Sequence, residues 1–470
     1  MIRSRTIAYF LNLPDIVKFL ILISITLTVT YFATVPFRTI WYILLLVFYI
    51  YSKNEALWLA FYLATVDGFI GFFGLYSATI ELIPGLPSIE LAQLYILLSV
   101  IKAARKNVRV DIFYLKFLQL LFIYVIFLVA WGQVMGLSGE LNVYFRVIKG
   151  ILPLFLFYSV PRLFTSTDMY ERFFRIVFVI VLFAFSTQIF TLITGIIPMT
   201  GDVLENEEEK RVYYNAACTI IGLFGALYFL AARRYKGSMV AMLYAVIISA
   251  MGMAVLSATR GWIISFGLVI IATLSLTRSV RSKHLIPFFL IFIPLIYLGL
   301  SNSSLNEQIL FSQDRLSKMK AITTGDLTAG GTLQRLDVRS ERVIGAWRES
   351  PLFGWGFSDN GYIYADGHVG NQSLLAFSGL TGFILLNGFL IFFAGRIFLL
   401  RKTLYRNKVK QDALLIFIFF LAGWFIIHSS SGQQFGFFGL PSQLIPLSVF
   451  FSFGAFEYSK NKSRINVRKT

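Results

Sequence analysis

The sequence predicts an all-α polytopic membrane protein, and three observations carry that prediction. Hydrophobic residues fill 57% of the 470 positions and charged residues only 14%, and mean hydropathy is +0.73. Soluble domains are roughly half apolar and about a quarter charged, so this chain has too little polar surface to enclose a core in water. Apolar runs near the length of about 20 residues that crosses the hydrocarbon as a helix recur roughly fourteen times. The predicted spans are 16–34, 37–51, 56–76, 88–102, 112–135, 147–161, 173–197, 213–232, 238–257, 261–277, 285–300, 372–396, 412–428 and 436–456. Residues 1–300 thus carry the first eleven spans, 301–371 one long loop, 372–456 the last three spans, and 457–470 a basic tail.

The first run, Ile16 to Ala33, is too long for a signal-peptide core and has no small-residue cleavage site, so it reads as a retained anchor. Cys218, the one cysteine, lies in an apolar helix and has no intrachain partner for a disulfide. Between spans, Lys and Arg fall on alternate loops: Arg3/Arg5, Lys53, Lys102 to Arg109, Arg162 to Arg175, Arg233 to Lys236, Arg278 to Lys283, Arg396 to Lys410 and the tail from Lys460. By the positive-inside rule these loops and both termini are cytoplasmic, which leaves 198–212 and 301–371 outside. The acidic run Asp202 to Glu209 falls on that outer side. Net charge +18 is therefore spread over topology signals rather than gathered into a nucleic-acid patch. The lipid bilayer is the partner those charges address.

The remaining cations lie on the outer side, against that bias, and each needs a reason. Arg38, Arg146, Lys149, Lys210, Arg211 and Arg260 belong to short outer turns; Arg315, Lys318, Lys320, Arg335, Arg339, Arg342 and Arg348 belong to the long loop. Arg260 sits in a tight hairpin, Ser257-Ala258-Thr259-Arg260-Gly261-Trp262. It reads either as an interfacial anchor beside Trp262 or as a phosphate ligand, since a guanidinium fork matches phosphate oxygens.

Spacing over 332–350 predicts a helix that aligns Arg335, Arg339 and Arg342 on one face, with Leu336, Val343 and Trp347 as the adjacent apolar stripe. Arg348 falls instead near Asp337 and Glu341 as a solvated ion-pair member. Like charges at helical spacing oppose the helix unless an anion answers them. Lipid headgroups or a specific anionic substrate would both serve.

Pro351-Leu352-Phe353-Gly354-Trp355-Gly356 reads as a turn, followed by a polar loop to His368. Among three histidines, His284 reads as a cytoplasmic surface residue and His428 as a buried one. His368 stands on the outer side with Asp366 two residues before it. It is either a structural loop residue or a base for a hydroxyl proton, its tautomer set by the carboxylate. No metal-ligand spacing and no nucleotide fingerprint occurs, so neither metal nor cofactor is expected, and the energy of any reaction would come with the substrate.

SATRGW (257–262), the arginine-bearing helix leading to PLFGWG (351–356), and HVGNQSLLAFSGLTGF (368–383) together resemble the O-antigen ligase and O-antigen polymerase superfamily of bacterial membrane glycosyltransferases. The resemblance covers roughly residues 215–395. It implies a GT-C-like helical bundle with a periplasmic loop in the bacterial inner membrane. The implied reaction is metal-independent transfer from an undecaprenyl-pyrophosphate-linked glycan donor to a glycan or lipid A-core acceptor. It places donor pyrophosphate on Arg260, Arg335, Arg339 and Arg342 and the base on His368, with Asp366, Asn371 and Arg146 supporting. Here Gly370 precedes Asn371, where many relatives have histidine. The 17% aromatic content favours polymerase over ligase, and a chain-length regulator is then a further expected partner. A flippase is the rival from another class; the lack of an internal repeat and of charges within the spans argues against it.

Overall fold

A computed structural model describes residues 13–66, 68–74, 78–80, 87–106, 108, 110–203, 214–277, 297, 301–317, 334–366, 369–431 and 441–467, with backbone alone at 334–337, 428–431, 441–443 and 463–467. Among the described residues nearly all regular structure is helical: α1 (Asp15–Phe32), α2 (Val35–Tyr51), α3 (Glu55–Thr65), α4 (Leu91–Arg105), α5 (Leu115–Val134), α6 (Leu141–Ile151), α7 (Leu156–Leu163), α8 (Thr167–Thr194), α9 (Ala216–Ala231), α10 (Ser238–Leu256), α11 (Arg260–Leu276), α12 (Ser303–Ser317), α13 (Gln334–Glu349), α14 (Asp359–Tyr364), α15 (Gly370–Thr403), α16 (Lys408–Ser431) and α17 (Pro441–Val467). A minimal antiparallel pair, β1 (Thr79–Ile80) and β2 (Ile89–Glu90), sets Thr79 opposite Glu90.

Among the described residues seven helical stretches are long and apolar enough to cross a membrane: α1, α5, Leu141–Leu163, α8, α10, α15 and Lys408–Ile427. α2, α3, α9 and α11 are shorter apolar helices. Only helices satisfy every backbone polar group within lipid without a neighbouring chain, which is why an apolar sequence of this composition takes this form. The α1–α2 hairpin presents an outward wall on which Phe32 is 76% and Tyr51 83% exposed. Apolar surface of that extent suits lipid rather than water. Between the two helices polar groups pair with one another: the Trp41 indole N–H donates to Thr26 Oγ1 at 3.1 Å, and Thr30 and Tyr42 hydroxyls share a 2.8 Å bond.

The centre is α9, on which every residue from Ala217 to Ala231 is buried. A helix that is apolar all round must be enclosed by others, and α8, α10, α16 and α17 enclose it. The Phe224 ring lies 5.0 Å from Phe417, 5.2 Å from Phe420 and 5.1 Å from Phe450. The C-terminal helices therefore fold back into the middle of the chain's own bundle.

Each predicted span except 285–300 falls on a helix; that one lies, but for Tyr297, outside the described residues. The stretch 56–76 is a correction. Its helix stops at Thr65, and Gly68 at φ 91 and Ile70 at φ 65 turn the chain into one short 3-10 turn. The polar loop expected between Gly356 and His368 is a second correction, because Ser358 caps the short helix α14 by accepting from the Gly361 N–H at 3.1 Å. The third concerns length: α15 runs on to Thr403 and is broken at Gly379.

Candidate functional site

The arginine-bearing helix α13 ends at Glu349, where Ser350 and Pro351 stop it. Its apolar stripe is Val343, with Ala346 and Trp347 beside it. Val343 packs with Val369 and Ala376 at the start of α15, and Trp347 leans against the same group. That packing fixes where the polar face points. Arg339 Nη1 lies 3.2 Å from Asp366 Oδ1 and Arg342 Nη2 lies 3.2 Å from Asp366 Oδ2. Asp366 is 9% exposed, while the arginine side chains are 36% and 51% exposed. One buried carboxylate thus answers two like charges that would otherwise repel along the helix. The trio keeps a net charge of about +1 and leaves guanidinium N–H donors, five on each residue, beyond those Asp366 engages.

Asp366 is itself held by the start of α15. Its backbone N–H donates to Ser373 Oγ at 2.9 Å, the Ser373 hydroxyl donates to the Asp366 carbonyl at 2.8 Å, and the Val369 N–H donates to the same carbonyl at 3.2 Å. Ser373 therefore ties the end of the long loop to the first turn of the apolar helix.

The PLFGWG segment lies inside the break of α15. Gly379 adopts φ 61 and ψ −173, a region that essentially only glycine occupies, and the helix hydrogen bonds around it are lost. The loop replaces them. Trp355 N–H donates to the Ala376 carbonyl at 2.8 Å, Gly356 N–H to Phe377 at 2.7 Å, Leu380 N–H to Pro351 at 2.9 Å and Thr381 N–H to Leu352 at 3.1 Å. The Tyr124 hydroxyl donates to the Ser378 carbonyl, and the Trp131 indole N–H donates to Gly354 at 2.8 Å. Gly354, at φ +67, allows this approach, since a Cβ there would stand 2.6 Å from the Ala376 oxygen. Non-helical backbone at an apolar helix survives where protein satisfies it, and here α5 and the loop do so together.

Arg146, on α6, reaches α14. Its guanidinium stacks 3.6 Å from the centre of the Tyr362 ring and lies 3.4 Å from Asp359 Oδ1, while the Ser138 N–H donates to Asp359 Oδ2 at 3.2 Å. Burial raises the Tyr362 phenol above its ordinary range, with Arg146 opposing. This is a cross-brace between the α5–α6 segment and the long loop.

Arg260 opens α11, half-buried, after Ala258 at φ 50. Trp262 is buried and meets Phe266 edge-on at 5.2 Å. Helix α12 covers the end of α10. Gln308 donates its amide N–H to the Leu256 carbonyl at 2.7 Å, and the Ser312 hydroxyl donates to Val255. These bonds satisfy carbonyls that a helix end leaves open.

The structure brings Arg339, Arg342 and Asp366 together and joins Arg146 to α14 instead. His368, His284 and the side chains of Arg335, Leu336, Asp337 and His428 lie outside what is described. Asn371 occupies the first turn of α15, its amide oxygen buried. Arg348 is exposed. Asp366, expected to orient His368, meets the two arginines; the expected pairing itself involves a residue outside those described. Among the described residues no group of three or more His, Cys, Asp and Glu could hold a metal ion. Ser373, Gly379, Asp359 and Tyr362 escaped sequence reasoning. Only the glycine in SGLTG left a signal, as an interruption of an apolar run. The chain matches no protein-family model and no curated protein sequence.

Proposed function

We propose that the protein is a polymerase of undecaprenyl-pyrophosphate-linked oligosaccharide repeat units, working by inverting glycosyl transfer at the outer face of a bacterial inner membrane. In this reading the bundle is GT-C-like with about fourteen spans, both termini are cytoplasmic, and 301–371 is periplasmic. The observation that carries it is the preformed pair Arg339 and Arg342, oriented by a buried carboxylate and retaining exposed donors beside a broken apolar helix. A lipid-linked donor needs those features side by side: an apolar surface for its tail and a cationic fork for its pyrophosphate.

The acceptor hydroxyl loses its proton to His368 and attacks the anomeric carbon opposite the leaving group. The new C–O bond forms as the C–O bond to pyrophosphate breaks, and the electron pair leaves on the phosphate oxygen. Arg339 and Arg342, with Arg260 and Arg335, stabilise that charge as it develops, which is where electrostatic stabilisation lowers the barrier. Lysine would not replace the fork.

Purified protein in liposomes, given labelled lipid-linked repeat units, tests this. Ladders of joined repeats on the lipid carrier, abolished by His368→Ala, are the expected result. Glycan moved only onto added lipid A-core would make it a ligase. Translocation of label with no new glycosidic bond would make it a flippase and overturn the reading.

A further inference from the structure

We infer that Asp366 is a positioning residue that converts Arg339 and Arg342 into one half-neutralised clamp and limits how tightly that clamp holds pyrophosphate. Its catalytic consequence rests on the glycosyl-transfer reading above; its effect on anion binding does not.

Geometry sets the argument. Each arginine meets a different carboxylate oxygen, Arg339 Nη1 at Oδ1 and Arg342 Nη2 at Oδ2, both at 3.2 Å, with a longer Arg339 contact of 3.5 Å to Oδ2. An ionised carboxylate is acceptor-only and has two equivalent oxygens, so it can orient two guanidiniums at once. The carboxylate is buried whereas both cations reach solvent. An arriving anion therefore meets the exposed edges of the guanidiniums, while the buried carboxylate lies behind them, out of the anion's reach. Asp366 stays, and its negative charge remains close to the bound phosphates.

That arrangement has two opposed effects. Fixed orientation aligns the forks with the oxygen on which charge develops, which favours turnover. Repulsion between Asp366 and bound pyrophosphate lowers affinity for the leaving group, which favours release of the spent carrier. The Ser373 bonds to the Asp366 backbone hold the carboxylate's base in place, so the side chain keeps its register when the arginines are occupied.

Asparagine separates these effects. It offers one acceptor oxygen and turns an amide N–H towards a guanidinium, so one arginine loses its guide, and the negative charge is gone. Full-length protein in detergent is titrated calorimetrically with inorganic pyrophosphate, as wild type, Asp366→Asn, Asp366→Glu and Arg339→Ala/Arg342→Ala. The same preparations are assayed for transfer. Asp366→Asn is expected to bind pyrophosphate about tenfold more tightly while transferring at least tenfold more slowly, with Asp366→Glu restoring much of both and the double variant losing binding.

Affinity in Asp366→Asn equal to or weaker than wild type overturns the inference. So does parallel loss of binding, transfer and thermal stability that glutamate does not recover, which marks a purely structural role. Absence of pyrophosphate binding in every protein removes the clamp and the inference together. Tighter binding in Asp366→Asn with no bond formation by any protein, wild type included, upholds the inference and removes glycosyl transfer.

Discussion

Glu55 and Asp366 are each a buried carboxylate set against two cations, as Glu171 is with Arg175 and Arg234, and the first two differ in what the cations have left over. At Glu55, which is 1% exposed, Lys102 Nζ lies at 2.8 Å and Lys106 Nζ at 3.8 Å. Lys102 is itself only 12% exposed, donates to the Tyr49 carbonyl at 3.0 Å and the Ser52 carbonyl at 2.8 Å, and lies 4.1 Å over the Tyr49 ring. An ammonium has three donors, and Glu55 with the two carbonyls occupies them, the carbonyls being those at the end of α2. At Asp366 both cations at 3.2 Å are arginines, 36% and 51% exposed, with spare forks; at Glu55 the near cation is the buried Lys102, and Lys106, 39% exposed, stands off at 3.8 Å. Charge ratio alone does not separate a structural pin from a binding site; the accounting of donors does.

The largest expected effects come from breaking what each region cannot replace. Glu55→Gln leaves Lys102 buried beside a neutral amide, and loss of one partner of a buried pair costs about 3–5 kcal/mol. The thermal unfolding midpoint in detergent should fall sharply, with transfer per folded molecule unchanged. Gly379→Ala should be comparably severe at the other region. It forces alanine into a glycine-only conformation, at about 1–3 kcal/mol, and drives a methyl group into the Leu352 backbone. Proteolysis of the 350–358 loop should accelerate in that variant; an unchanged cleavage rate would show that the loop does not depend on the break.

Next in size, and opposite in kind, are Arg339→Lys and Arg342→Lys. Partly exposed pairs contribute about 0–1 kcal/mol to stability, so unfolding should move little. Turnover should fall at least tenfold, a factor worth about 1.4 kcal/mol of barrier, because a point charge cannot reproduce the fork. A lysine variant with full turnover would put Arg339 and Arg342 in the same class as Lys102.

The helices were legible because a chain with 57% hydrophobic residues leaves few alternatives, and α13 was legible because Arg339, Arg342, Val343 and Trp347 obey one period. The placement of Asp366 on those arginines was not. It depends on the turn at Gly354 and Gly356, on Ser373 pulling the loop end down, and on Gly379 opening the helix to receive the loop. Each joins positions that share no helical period, so none leaves a periodic trace. Asp359 and Tyr362 were hidden for the same reason, since their partner Arg146 stands more than two hundred positions away in the chain.

That brace gives the smallest effect and the finest probe of the comparison. Arg146 combines a stacked ring with an ion pair whose members are 42% and 39% exposed. At such exposure, cation–π contact contributes about 0.5–1 kcal/mol and the screened pair about as little, so Arg146→Ala should lower stability by about 1 kcal/mol. Arg146→Lys should recover part of it, since an ammonium also binds a ring face. If Arg146 only braces α14, pyrophosphate affinity should stay within about twofold of wild type, a shift below about 0.5 kcal/mol. A tenfold loss of affinity without loss of stability would instead move Arg146 from the brace to the clamp, and the donor accounting that separates Glu55 from Asp366 would then have to include α6.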